Sequence, residues 1–355
     1  MMGKDTITSN DLDKLLSLAV KKNASDVHLV AGRPPIFRID GELAPLDHEV
    51  ISSEDIKNMV FGMLNDKQKK IFQDTLELDI SYMLSDKTRF RVNLHIEKGN
   101  ITVAMRHIPH FVQNIQQLGL PESVGDLARK LMGLVIVTGP AGVGKSTTLA
   151  AMIEIINKER KCMVISIEDP VEYIHESSRS IVKQREVGTD TLSFANALKH
   201  VLRQDPNVIL VGEIRDLESI SMAITAAGTG HLVLTTLHTP DAVGAVNRII
   251  DAYPPEKQYQ VRAQLAECLE GVVAQILLPK KGKAGRVAAT EVLLATQAVR
   301  HLIRTGATNQ LYSLIQTGSK LGMQTMDDSL AALIRKGLVE KDVAMAYAKD
   351  KIRVW

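Results

Sequence analysis

The spacing of apolar and polar positions changes character near residue 110. Before that point the pattern is short and mixed. In "SNDLDKLLSLAVKKN" a serine or asparagine stands where a helix cap would, and apolar residues follow at helical spacing. "DVHLVAGRPPIFRIDGELAPL" alternates like strands interrupted at "GRPP" and at the Asp40-Gly41 turn. "SEDIKNMVFGMLNDKQKKIF" predicts a pair of helices, and "RFRVNLHIEKGNITVAMRHI" a hairpin around Lys98-Gly99-Asn100. These elements predict a small α+β domain over residues 1–110, followed by a linker over 111–129.

From about residue 130 the strands become near-continuous apolar runs: "LMGLVIVTG", "KCMVISIED", "NVILVGE" and "HLVLTTLH". Strands covered on both faces and separated by helical stretches predict a parallel α/β sheet over residues 130–293. Residues 294–355 read as helices. The fold class expected is therefore α/β, preceded by the α+β domain and followed by a helical region.

The ends of these runs carry the chemistry. "GPAGVGKST", residues Gly139, Pro140, Ala141, Gly142, Val143, Gly144, Lys145, Ser146 and Thr147, satisfies GxxxxGK[ST] between a strand and a helix. Its glycines let backbone N–H groups curl around phosphate oxygens, Lys145 is placed to reach the β- and γ-phosphates, and Ser146 to ligate Mg²⁺. At the end of the next strand, "ISIEDPVEYIH" offers Glu168, Asp169 and Glu172, either as site carboxylates or as an acidic surface loop. "NVILVGEIRD" ends an apolar strand in an acid, Glu213, with Gly212 where an aspartate is usual. Arg89, Arg91, Arg106, Arg203 and Arg215 are candidates for stabilising phosphate charge, from the same chain or a neighbouring subunit.

"GHLVLTTLHT" begins and ends on a histidine. His231 and His238 are seven residues apart, roughly 23 Å if extended, and an odd offset places them on opposite faces of a regular strand. They are not a metal pair, and each is open to reading as an ordinary strand-end residue. Because the phosphate loop, the acidic loop and Glu213 follow strand C-terminal ends, His238 belongs with the site and His231 with the strand entry.

Composition narrows the function. Net charge is +2 from 43 basic and 41 acidic residues, and aromatics make up 4% of the chain. Neither the charge balance nor the aromatic content suits a surface for single-stranded nucleic acid. Two cysteines, Cys162 and Cys268, without a CxxC neighbour argue against a disulfide framework or zinc site and for a reducing compartment. The stretch "MMGKDTITSNDLDKLL" has no apolar core of signal-peptide length, and the longest apolar runs, such as "MGLVIVTG", are too short for a membrane span.

Taken together, "SDVHL", "GRPPIFRIDG", "RFRVN", "GPAGVGKSTTLAAM", "IEDPVEYIHES", "QREVG", "LRQDPNVILVGEIRDLE", "TGHLVLTTLHT" and "NRIIDAYPP" resemble the secretion and type IV pilus motor ATPases over almost the full length. Within that family, "AVRHLIR" and "GMQTMDDSL" are signals for retraction over extension, and the four-cysteine zinc site of assembly ATPases has no counterpart. The acidic loop resembles the family's Asp box, the two-histidine strand its His box, and Gly212-Glu213 its Walker B ending. Ala141, Val143 and Gly228 depart from the common pattern, the last where a glutamate is frequent.

The resemblance implies a PAS-like N-terminal domain, a RecA-like ATPase domain and a homohexamer. It implies ATP and Mg²⁺ as ligands, with Ser146 and Glu213 on the metal, Glu172 activating water, and Arg91 and Arg106 completing the site. Glu168, Asp169, His231, Arg203 and Arg215 then support the motifs. It also implies a cytoplasmic protein, peripheral to the inner face of the cytoplasmic membrane, that meets a pilus platform protein and no nucleic acid. An extension or secretion ATPase is the alternative within the family; a RecA-like nucleic-acid translocase is the alternative outside it.

Overall fold

Burial alternates along the strands of the first half and is continuous along those of the second, and this difference separates two sheets. A computed structural model describes residues 12–39, 41–86, 88–108, 112–214, 216–282 and 285–351. The candidate cap residues Ser9 and Asn10, the turn residue Asp40 and the candidate Arg215 lie outside the described residues. The chain divides into two units, residues 1–110 and 111–355.

In the first unit, α1 (Leu12–Lys21) leads into β1 (Asp26–Leu29), β2 (Ile36–Ile39) and β3 (Glu42–Pro45). The helices α2 (Ser53–Met63) and α3 (Asp66–Thr75) follow, then β4 (Glu77–Met83), β5 (Arg89–Glu97) and β6 (Asn100–Ile108). Both helices open with a capping box, Ser52 with Asp55 and Asn65 with Gln68, which satisfies orphan N–H groups and sets each start. The six strands pair antiparallel in the order β3-β2-β1-β6-β5-β4. Along β5, Phe90, Val92 and Leu94 are fully buried. Arg89, Arg91 and Asn93 alternate with them at the period expected of a sheet with one covered face.

The second unit begins with α4 (Glu122–Ala128), β7 (Gly133–Thr138), α5 (Lys145–Glu159), β8 (Met163–Glu168), β9 (Ile181–Glu186), α6 (Phe194–Val201) and β10 (Val208–Val211). It continues through α7 (Leu217–Gly228), β11 (Leu232–Leu237), α8 (Ala242–Asp251), α9 (Pro255–Cys268), β12 (Leu269–Pro279) and β13 (Arg286–Leu294). The helices α10 (Gln297–Thr305), α11 (Leu311–Thr317), α12 (Met326–Arg335) and α13 (Lys341–Met345) complete it. Strand order is β13-β12-β7-β11-β10-β8-β9. The first six strands in chain order are parallel; β13 turns back antiparallel on β12, so the sheet is mixed where a parallel one is expected from the apolar runs. Leu134 and Ile136 of β7 join one apolar cluster and Val135 and Val137 another, so both faces are covered.

Residues 112–129, expected as a linker, are built into this unit: Ile115, Leu120, Val124 and Leu127 are buried in the second cluster. None of the described helices is long and apolar enough to cross a membrane. Both cysteines are free.

Candidate active site

Parallel pairing in register brings the C-terminal ends of β7, β8, β10 and β11 to one edge. The phosphate loop leaves β7 there. Gly139 has φ 144°, and a Cβ on it would collide with the Gln275 carbonyl oxygen of β12, so only glycine lets the loop start this close to the neighbouring strand. Gly144 ends the loop in the left-handed conformation, and the helix α5 that follows has no side-chain cap. Its leading N–H groups and positive dipole end are thereby directed at the loop's interior, the arrangement that binds phosphate. Gln275, almost fully buried, donates from Nε2 to the Val143 carbonyl at 2.6 Å and accepts from Thr148 Oγ1 at 2.8 Å. A lone amide inside the apolar run "GVVAQILLP" is the sequence signal for this support, and motif reading passes over it.

Lys145 is buried, and its Nζ donates to the carbonyls of Gly139 and Pro140 at 2.8 and 2.9 Å. His238 Nδ1 lies 3.3 Å from the same Nζ, and His238 Nε2 lies 3.1 Å from Glu213 Oε1. An ammonium has protons and no lone pair, so Nδ1 accepts, and the ring proton sits on Nε2 facing the carboxylate. His238 is thus a fixed, oriented link between the phosphate-loop lysine and the acid that ends β10. Burial lowers the Lys145 pKa, and the negative charges of Glu213 and Glu172 oppose that shift.

The acidic loop divides by environment. Glu168 is buried; Ser166 Oγ donates to it at 2.6 Å and Gln184 Nε2 at 3.2 Å. Burial raises its pKa above the usual carboxylate range, with those hydrogen bonds opposing. A Cβ at Gly212, just after β10, would lie 3.3 Å from the Glu168 backbone, so the chain passes close to the end of β8 here. Asp169 and Glu172 are exposed. Ser146, Glu168 and Tyr173 line one small pocket beside Gly212, of about 30 Å³. A serine hydroxyl and a carboxylate are hard oxygen donors of the kind that fits Mg²⁺ shared with nucleotide phosphates. Among the described residues no group of three or more His, Cys, Asp or Glu could cage a metal alone.

This loop is anchored to α5. Tyr173 OH and Thr147 Oγ1 are 2.8 Å apart, and Asn157 Nδ2 donates to the Glu176 carbonyl at 2.8 Å. His175 Nδ1 lies 3.2 Å from Glu154 Oε1, with Lys158 Nζ 3.0 Å from Oε2. The His175 hydrogen bond, against burial and with help from Lys158, pulls the Glu154 carboxyl from 4.5 to about 2. A depressed carboxylate contributes stability in full above its unfolded value and loses it as pH falls towards the folded one. Glu154→Gln is therefore expected to cost about 1–2 kcal/mol at pH 7, once solvent screening is allowed for, and progressively less between pH 4.5 and about 2. Denaturant unfolding at both ends of that window checks it; an equal loss at pH 7 and pH 2 would refute the ion-pair origin.

Two candidates sit at the opposite end of the strands. His231 precedes β11, its Nδ1 3.0 Å from the Ala226 carbonyl at the end of α7. Arg203 is exposed between α6 and the start of β10. In the first unit, Arg91 and Arg106 stand directly opposite each other on β5 and β6. Like charges in that position repel. Arg106 Nε is held by Asp26 Oδ1 at 2.8 Å, Arg91 Nε lies 3.9 Å from Asp79 Oδ1, and Arg89 donates to Ser81 Oγ at 2.8 Å.

Residues 2–344 match the family described as type II/IV secretion system protein. The chain is 44% identical to the type IV pilus retraction ATPase PilT of Pseudomonas aeruginosa over 339 residues, 96% of this chain and 98% of the relative. It is 45% identical to a twitching motility protein of Neisseria gonorrhoeae, covering 89% of this chain and 84% of that one. A crystal structure of the pilus retraction motor PilT with bound ADP superposes with a TM-score of 0.89 at 42% identity, covering 96% of this chain and 97% of that one.

Proposed function

This chain belongs to the type II/IV secretion system protein family, and from that premise we propose that it is an ATP-hydrolysing motor of type IV pilus retraction. Its fold is that of a PAS-like α+β domain followed by a RecA-like ATPase domain with a C-terminal helical region. The observation that carries the chemistry is the line Lys145–His238–Glu213, joined by contacts of 3.3 and 3.1 Å beside an uncapped helix N-terminus.

In this reading the loop N–H groups and Lys145 bind the β- and γ-phosphates, and Ser146 and Glu213 would hold Mg²⁺, whose charge would offset that of the phosphates. Glu172, exposed at the same edge, takes the proton of the attacking water. His238, set by its two contacts, registers the γ-phosphate. Glu168 stays buried and accepts the Glu172 N–H at 3.4 Å, so it helps to hold the backbone of the loop that carries Glu172. Arg91 and Arg106 reach the nucleotide of a neighbouring subunit in a homohexamer. The ring works at the cytoplasmic face of the membrane against a platform protein of the pilus machine.

Deletion in the native host tests the direction of work. Loss of a retraction motor leaves surface pili in excess and abolishes twitching; disappearance of pili would assign extension instead. Saturable stimulation of the purified chain's ATPase by single-stranded DNA would favour a nucleic-acid translocase.

A further inference from the structure

The last described residues return to the edge that carries the site. Lys349 Nζ lies 2.8 Å from Asp241 Oδ2, 3.9 Å from Glu291 Oε2 and 4.8 Å above the Tyr312 ring. Its backbone is anchored: the N–H groups of Lys349 and Asp350 donate to the two carboxylate oxygens of Asp327 at 2.9 and 3.0 Å, and Asp327 is fully buried on α12.

Both carboxylates that Lys349 meets hold the first turn of α8. Asp241 is its N-cap, accepting the Gly244 N–H at 2.7 Å. Glu291, fully buried on β13, accepts the Ala242 N–H at 2.9 Å through Oε1, and its Oε2 faces Lys349. Two ionised carboxylates against one helix turn, one of them fully buried, repel each other, and a cation between them offsets that repulsion and favours the ionised form of both. Burial opposes ionisation at both; the Lys349 hydrogen bond helps to hold Asp241 below its usual range, while Glu291 stays above its own.

The turn that ends at Asp241 starts at His238. Between them, Thr239 N–H donates to Thr138 Oγ1 at 2.9 Å, and that hydroxyl donates to the Thr239 carbonyl at 2.8 Å. Thr138 precedes Gly139, whose carbonyl accepts Lys145. A continuous set of contacts therefore runs from the C-terminal segment to the phosphate loop.

We propose that Lys349 is a positioning residue of the active site: by lying between Asp241 and Glu291 it fixes the His238–Asp241 turn, and with it the imidazole between Lys145 and Glu213. The inference rests on the ATPase reading of that site. The C-terminal segment then acts on hydrolysis from outside every nucleotide-binding motif, and displacing it slows turnover.

The test is a double-mutant cycle in the full chain, measured as turnover per assembled particle. Lys349→Met is expected to lower kcat about tenfold with KM for ATP changed less than about twofold, and Lys349→Arg to retain most of the rate. Lys349→Met combined with Glu291→Gln, or with Asp241→Asn, is expected to recover to within about threefold of wild type, because removing one carboxylate charge removes the need for the cation. Asn is as good a helix cap as Asp, so the second pair leaves α8 capped. Unchanged kcat in folded Lys349→Met, or double variants whose losses simply multiply, would overturn the proposal. Lys349→Gln carries the same comparison if Lys349→Met does not fold. A wild-type chain without Mg²⁺-dependent turnover would instead sink the motor reading, and this one with it.

Discussion

Lys145→Ala is expected to lower Mg²⁺-dependent ATP hydrolysis by at least about 10²- to 10³-fold, the loss seen when one preorganised donor to developing charge is removed. Lys145 is held by two loop carbonyls and touches His238, so its removal takes away the charge that meets the transferred phosphate and also the group that orients the imidazole. Lys145→Arg should not rescue the rate: a planar fork cannot satisfy two carbonyls and a ring nitrogen from the space of one ammonium. The check is steady-state phosphate release by purified protein; turnover within tenfold of wild type would remove the phosphate-loop assignment.

The two histidines that flank β11 are expected to fail differently. His238→Ala should cut kcat by about 10²-fold with a small effect on nucleotide affinity, because it breaks the link between Lys145 and Glu213. His231→Ala should leave turnover per folded chain near wild type. It removes one hydrogen bond to the Ala226 carbonyl, worth about 1 kcal/mol, or roughly 2–4 °C in melting temperature for a unit of this size. Measuring rate, affinity and thermal midpoint together separates the two outcomes. Equal catalytic losses would mean that the strand-entry histidine also acts on the nucleotide.

Much of this asymmetry is readable from the sequence, since a parallel strand between helices has a ligand-bearing end and an opposite end. The two capping boxes, the hairpin after Arg89 and the strand–loop–helix around Lys145 are readable for the same reason: each is set by residues within a few positions of one another. β9 is harder to see, because "IVKQRE" at the sheet edge is polar and only its last residue is buried. The antiparallel β13 is equally hidden, since an apolar strand carries no mark of its direction.

Most local elements, the glycine-dependent phosphate loop and the set of acids available at strand ends are fixed by short stretches of chain. These follow from side-chain period, from glycine's access to positive φ and from where polar residues interrupt apolar runs. Which of those groups touch was decided only by tertiary structure. Lys145 meets His238 across 93 positions, Val143 meets Gln275 across 132, and Asp241 meets Lys349 across 108. Each contact depends on strand order, with β7 between β12 and β11 and β10 between β11 and β8, and on α12 fastening the chain end. That order comes from burying both faces of one sheet at once, a collective condition that no local window of residues contains.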